Sequence, residues 1–210
     1  MGRKITVVIE HLEEEMSPWL LLEYRHASII IGKDNIVYTN IPRKYHKILR
    51  KYGRVYEKSV LSLYPHEKII ILDPQAEKPL SAKDLERCEV IVIGGILGDH
   101  PPRGRTKILL SIKAPKALKR NIGEGQYSID GAVYVVKKFI ETGDLSSIRY
   151  VDGIILEHKE DNVVKTIKLP FRYPLVNNEP LLAPGLRELL LKGKIPDNIW
   201  RELTNDIIEY

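Results

Sequence analysis

The chain has 210 residues, 43% of them hydrophobic, which is enough for one buried core with a small appendage and argues against several large domains. Lys and Arg number 33 against 28 Asp and Glu, a mild basic excess that assists a polyanionic partner without requiring one. The first apolar run stops at Glu10, far short of the ~20 residues a bilayer span needs, and no cleavage pattern follows, so a soluble, cytoplasmic protein with no membrane partner is expected. A single cysteine, Cys88, excludes an internal disulfide and fits a reducing compartment.

In chain order, KITVVIEH reads as a strand buried on both faces. SPWLLLEYRHASIII follows as a helix, with Ser17 as N-cap, Pro18 in the first helical position and Gly32 as terminator. NIVYTN leads into IPRKYHKILRKYG, where Pro42 and Gly53 bracket a second predicted helix, and EKIIILDP is another apolar strand. Ser81 caps a short helix, AKDLERC, and EVIVIGG is the continuous apolar run of a central strand in a parallel sheet. This alternation predicts an α/β sheet layered by helices. Ser128 then caps an amphipathic helix that ends at Gly143. Two strands follow, joined by a polar turn around Glu160 to Asn162, and APGLRELLLKG and NIWRELTNDIIEY read as terminal helices. There is no internal repeat and no low-complexity linker.

Two loops stand out: GGILGDHPPRG after one strand and NIGEGQYSIDG before a helix. Glycines at strand ends admit the backbone to a ligand, yet they also mark ordinary turns, and the residues alone leave both readings open. Neither GxGxxG after the first strand nor GxxxxGK[ST] occurs, which excludes the common dinucleotide and P-loop sites, and no CxxC or HExxH supports a metal.

The segments VIEHLEEEMSPW, IGGILGDHPPR with its trailing RT, and GQYSIDGA resemble the SPOUT superfamily of S-adenosylmethionine-dependent methyltransferases. The resemblance is closest to a small family that includes a eukaryotic arginine methyltransferase of a small-subunit ribosomal protein and archaeal members described as predicted RNA methyltransferases. It spans roughly residues 5 to 142 and is weak beyond residue 145. It implies an α/β, open, mainly parallel sheet with a deep C-terminal trefoil knot, a methyltransferase domain over 1–144, and a C-terminal extension over 145–210 made of a strand pair and helices. It further implies S-adenosylmethionine held by Ile93, Gly94, Gly95, Leu97, Gly98, Asn121, Ile122, Gly123, Gly125, Gln126, Tyr127 and Ser128. Such enzymes commonly pair through their knots. An extension over that surface, as in the arginine-methylating relative, implies a monomer.

A guanidinium is a poor nucleophile because it stays protonated, so its methylation calls for carboxylates. Glu10, His11, Glu13, Glu14 and Glu15 gather where the first strand ends, Asp99 and His100 leave the glycine-bearing strand, and Glu10 and Asp99 are the carboxylates expected to take the proton. Glu14 and Glu15 equally suit a solvated acidic run, and a lone histidine is more often a hydrogen-bonded structural residue than a proton carrier. Arg103 and Arg105 fit a donor carboxylate, a substrate phosphate or an internal acid alike. The expected reaction is methylation of an arginine in a ribosomal protein, with ribosomal or transfer RNA as the alternative substrate and a non-catalytic RNA-binding protein as the third reading. The stretch at residues 42 to 58, in which lysines and arginines alternate with tyrosines, reads first as an amphipathic helix with a solvated side, with an RNA contact as the alternative.

Overall fold

The computed structural model describes residues 5–161 and 163–204. Six strands form one sheet: β1 (Thr6–His11), β2 (Ile36–Thr39), β3 (Arg54–Val55), β4 (Ile69–Leu72), β5 (Val90–Gly95) and β6 (Leu118–Arg120). Their order is β3-β2-β1-β5-β4-β6, and every neighbouring pair is parallel. The apolar runs VVI, IVY, IIIL and VIVI explain this arrangement, since a strand without polar alternation is stable only when both faces are covered. On one face Val7, Ile9, Ile70, Ile91 and Ile93 meet α1 (Pro18–Ile31) and α5 (Ile129–Thr142). On the other, Val8, Val37, Ile69, Ile71 and Val92 meet Val60 of α3 (Val60–Leu63) and Leu110 of a π-helical turn at Lys107–Ser111.

The helix boundaries follow the expected caps. Ser17 accepts from the Leu20 amide and Pro18 opens α1. Ser81 and Asp84 form a reciprocal capping box on α4 (Ala82–Arg87), and Gly143 closes α5 in the left-handed region at φ 72°. The helix expected between Pro42 and Gly53 does not form as one unit. A 3-10 turn (Arg43–Tyr45) and the single-turn α2 (His46–Leu49) take its place, because the chain must reverse and pair Arg54 and Val55 with Val37 and Tyr38. At Gly53 an added Cβ would lie 2.9 Å from Ile36 Cγ2, so the segment is drawn tight against the sheet.

Beyond α5, β7 (Tyr150–Glu160) and β8 (Val163–Val176) form a long antiparallel hairpin, with β9 (Glu179–Pro180) beside β8. Two helices follow, α6 (Leu186–Lys192) and α7 (Asp197–Thr204). Leu186, Ile199 and Leu203 join the same apolar cluster as Leu22 and Tyr24 of α1, and Arg25 grips Glu202 through two bonds of 2.8 and 2.5 Å. Asn162 of the expected turn and residues 205–210 of the last expected helix lie outside the described residues. No helix among the described residues is long and apolar enough to cross a membrane.

Where α1 meets α5 a carboxyl group is buried. Glu23 accepts from Trp19 Nε1 at 2.6 Å and from the Ile129 amide at 2.9 Å, and beside it Asp130 contacts His26 Nδ1 at 2.7 Å. Burial, and secondly the neighbouring Asp130, push Glu23 up to about 8. A carboxyl whose pKa is raised by folding contributes most below its ordinary value near 4.5, and that contribution fades as pH rises towards 8. The difference in unfolding free energy between parent and Glu23→Gln should therefore fall between pH 4.5 and 8 and level off above. Denaturant melts across that range measure it, and a difference independent of pH would show that Glu23 stays charged in the fold.

Candidate active site

The C-terminal ends of β4, β5 and β6 open on one edge of the sheet, the usual place for ligands in open α/β folds. The loops leaving them enclose a cleft of about 880 Å³, counted to its open mouth. Of the residues expected to hold a donor, Ile93, Gly94, Gly98, Asn121, Ile122, Gly123, Gly125, Gln126, Tyr127 and Ser128 line it. Asn121 accepts from the Gly123 amide at 3.1 Å. Gly123 and Gly125 stand at φ 106° and 85°, a region that disfavours side chains. Gln126 Nε2 donates to the Asp99 carbonyl at 2.9 Å, tying the two glycine loops together. The hairpin braces both loops: the Arg172 amide donates to the Gln126 carbonyl at 2.6 Å, and the Phe171 ring fills the place of a Cβ on Gly98.

Gly95 and Leu97 do not line the cleft. Gly95 pairs with His11 in the sheet, and a Cβ there would overlap the Tyr24 hydroxyl and stand 3.0 Å from the Glu10 carbonyl, so this glycine serves packing. The residues that sequence reading missed are Leu72 at the end of β4 and Asp73, Pro74 and Gln75 after it, together with Ile96, Pro102, Gly104, Thr106, Ile129 and Ala132. Asp73 is buried, accepting from Ser111 Oγ at 2.6 Å and the Gln75 amide at 2.9 Å. The signal was available: EKIIILDP ends at the same sheet edge as EVIVIGG.

The acidic cluster divides. Glu10 and His11 still lie within β1, opposite Gly94 and Gly95, so strand alternation sends their side chains into the two layers and away from the cleft. Glu10 accepts from Thr39 Oγ1 at 2.5 Å and the Val60 amide at 2.9 Å. His11 meets the Tyr24 hydroxyl at 3.0 Å, and burial lowers its pKa against the opposing pull of Glu13 and Glu15. Glu14 and His100 are exposed. Glu13 and Asp99 are brought together by Arg105, which donates to Glu13 Oε1 at 2.9 Å, to Asp99 Oδ2 at 2.7 Å and to the Leu97 carbonyl. Glu13 also accepts from the Leu97 amide at 2.9 Å. Glu13 Oε2 and Asp99 Oδ1 have no partner among the described residues, and Arg103 lines the cleft without an ion pair there. Among the described residues no group of His, Cys, Asp and Glu is placed to hold a metal.

Residues 6–195 match the family described as protein arginine N-methyltransferase SFM1-like. The chain belongs to this family. The SFM1-like chain is 29% identical to protein arginine N-methyltransferase SFM1 of Saccharomyces cerevisiae over 203 residues, 88% of this chain and 93% of that one. It also matches a crystal structure of yeast SFM1 complexed with SAM, at TM-score 0.76 and 28% identity, covering 90% of this chain and 91% of that one. A crystal structure of dual specific Trm10 from Thermococcus kodakaraensis, at 18% identity and TM-score 0.53 over 67% of this chain and 95% of that one, shares the fold. The SFM1-like chain is thus an S-adenosylmethionine-dependent methyltransferase of the SPOUT type, as its sequence motifs imply.

The cleft fits that donor. Leu72, Ile96, Ile122 and Ile129 offer an apolar lining for a flat base, Arg103 offers an unpaired guanidinium to a carboxylate, and main chain is laid bare at the glycines of both loops. At Gly94 an added Cβ would come within 3.3 Å of both Ile96 Cδ1 and Thr106 Oγ1, so a side chain there would occupy space on the cleft's own wall.

Proposed function

We propose that the protein methylates an arginine side chain of a ribosomal protein, with Glu13 and Asp99 receiving the guanidinium. The observation that carries this reading is the pair of carboxylates already gripping one guanidinium, that of Arg105, which lines the cleft with Asp99 while Glu13 stands behind it, and one oxygen of each acid is left over. When bound, S-adenosylmethionine supplies a methyl group on a sulfonium. The protein's own work is then to hold the acceptor nitrogen in line and take its proton. Arg105 sets the spacing of the two acids, and the free oxygens Glu13 Oε2 and Asp99 Oδ1 bond the incoming N–H groups. The carboxylate nearer the reacting nitrogen accepts the proton as the methyl arrives. An RNA phosphate meets repulsion at the same two acids.

The same reading includes a trefoil knot, a cytoplasmic setting and a monomer. In support of the knot, the loop leaving β5 and the loop entering α5 are in contact at the Gln126 to Asp99 bond. In support of the monomer, Phe171 and Arg172 of the proposed extension lie over both loops, where a second copy would dock. Incubation with methyl-labelled donor and a ribosome-containing lysate should give label that protease destroys and ribonuclease spares. Label with the opposite sensitivity would transfer the reading to RNA. A sedimentation profile independent of concentration at the mass of one chain is the expected result for assembly.

A further inference from the structure

The basic excess of this chain is not spread over its surface. Seven cations and one acid, Glu57, fall between residues 43 and 58, a net charge of six, whereas the whole chain carries five, which leaves the remainder at minus one. The solvated helix face that could have explained this stretch is absent, because only His46–Leu49 is α-helical. The segment is instead pinned along the edge of the sheet: Tyr56 N–H donates to the Tyr38 carbonyl at 2.9 Å, Ile41 N–H to the Tyr56 carbonyl at 3.1 Å, and Asn40 N–H to the Lys58 carbonyl at 3.0 Å. Lys44 is engaged by Glu15, and Lys51 donates to the carbonyls that end α7. Arg43, Lys47, Arg50, Arg54 and Lys58 are exposed and have no acidic partner among the described residues. Tyr56 stands 38% exposed among them.

We infer that this edge binds the phosphate backbone of RNA, at a site separate from the methyl-transfer cleft. Five unpaired cations on a fixed scaffold match a line of phosphates, and an exposed tyrosine gives an unpaired base a face to stack on. Tyr56 is the only exposed large apolar side chain in the stretch, too little apolar surface to insert into a lipid layer. The edge also adjoins the acidic pair: Lys44 binds Glu15, two residues from Glu13. A protein that binds RNA here holds its arginine-accepting acids beside the bound polyanion, where cationic partners of RNA collect.

The test is fluorescence anisotropy of the full chain with a labelled single-stranded RNA between 50 and 200 mM salt. With five phosphates engaged at ~0.7 counterions each, the logarithmic salt slope should be about −3.5, a loss of about 100-fold in affinity over that range. Lys47→Gln, Arg50→Gln and Arg54→Gln together should reduce the slope by about 2 while melting temperature and S-adenosylmethionine affinity stay parental. No binding at 50 mM salt, a triple variant with the parental slope, or equal binding to vesicles of anionic lipid would overturn the inference. Methylation of an isolated arginine peptide should be indifferent to the triple variant, so failure of the arginine reading would leave the RNA edge standing.

Discussion

Asp99→Asn and Glu13→Gln each lower turnover at least ~10²-fold and leave S-adenosylmethionine affinity unchanged, the expected cost of losing a positioned proton acceptor at a guanidinium. Both substitutions keep a side-chain oxygen for the Arg105 bonds at 2.7 and 2.9 Å, so the grip survives while the charge is lost. Single-turnover methylation, with calorimetry of donor binding, separates the two effects. A parental rate in both variants would remove the pair from the reaction. Glu10→Gln gives the contrast. That carboxylate accepts two bonds in the interior, so its loss destabilises the fold by about 1–3 kcal/mol, read in a denaturant melt, and acts on turnover only through stability.

Two adjacent glycines should part company in the same way. Gly94→Leu abolishes donor binding with a near-parental melting temperature, because the side chain enters beside Ile96 and Thr106 on the cleft wall. Gly95→Ala adds a single carbon yet destabilises the protein by about 1–3 kcal/mol or more, since that carbon meets the Tyr24 hydroxyl, the Ile9 side chain and the Glu10 carbonyl in a packed layer. The Tyr24 to His11 bond must give way as well. Thermal melts and calorimetry on the two variants decide it: a folded Gly94→Leu that retains donor affinity would move the donor elsewhere.

The parallel sheet was legible because IIIL and VIVI admit one explanation, burial on both faces, and the caps at Ser17, Ser81 and Ser128 were legible because capping is local chemistry. The two-residue β3 and three-residue β6 were not, since so short a run shows no period, and the helix read across residues 42 to 53 yielded to pairing with β2. In the site, the glycine loops announced themselves by composition. The division of the acids did not. Whether Glu10 or Glu13 reaches Arg105 depends on the residue at which β1 leaves its register with β5, and that is a property of the neighbouring strand. Asp73 escaped notice because a lone acid after an apolar strand looks like any strand end.

The bracing of both glycine loops by Phe171 and Arg172 bears on when the protein becomes competent during its synthesis. Every residue lining the cleft has been joined to the chain once Ala132 is added, but the two residues that steady those loops come some forty positions later. A nascent chain that ends before the hairpin holds the cleft's walls without their brace. The hairpin also puts the conformational cost of ordering the loops into folding, so a ligand of the cleft meets walls already in place. Changes in the hairpin that move Phe171 or Arg172 therefore act on the cleft without touching any residue that lines it.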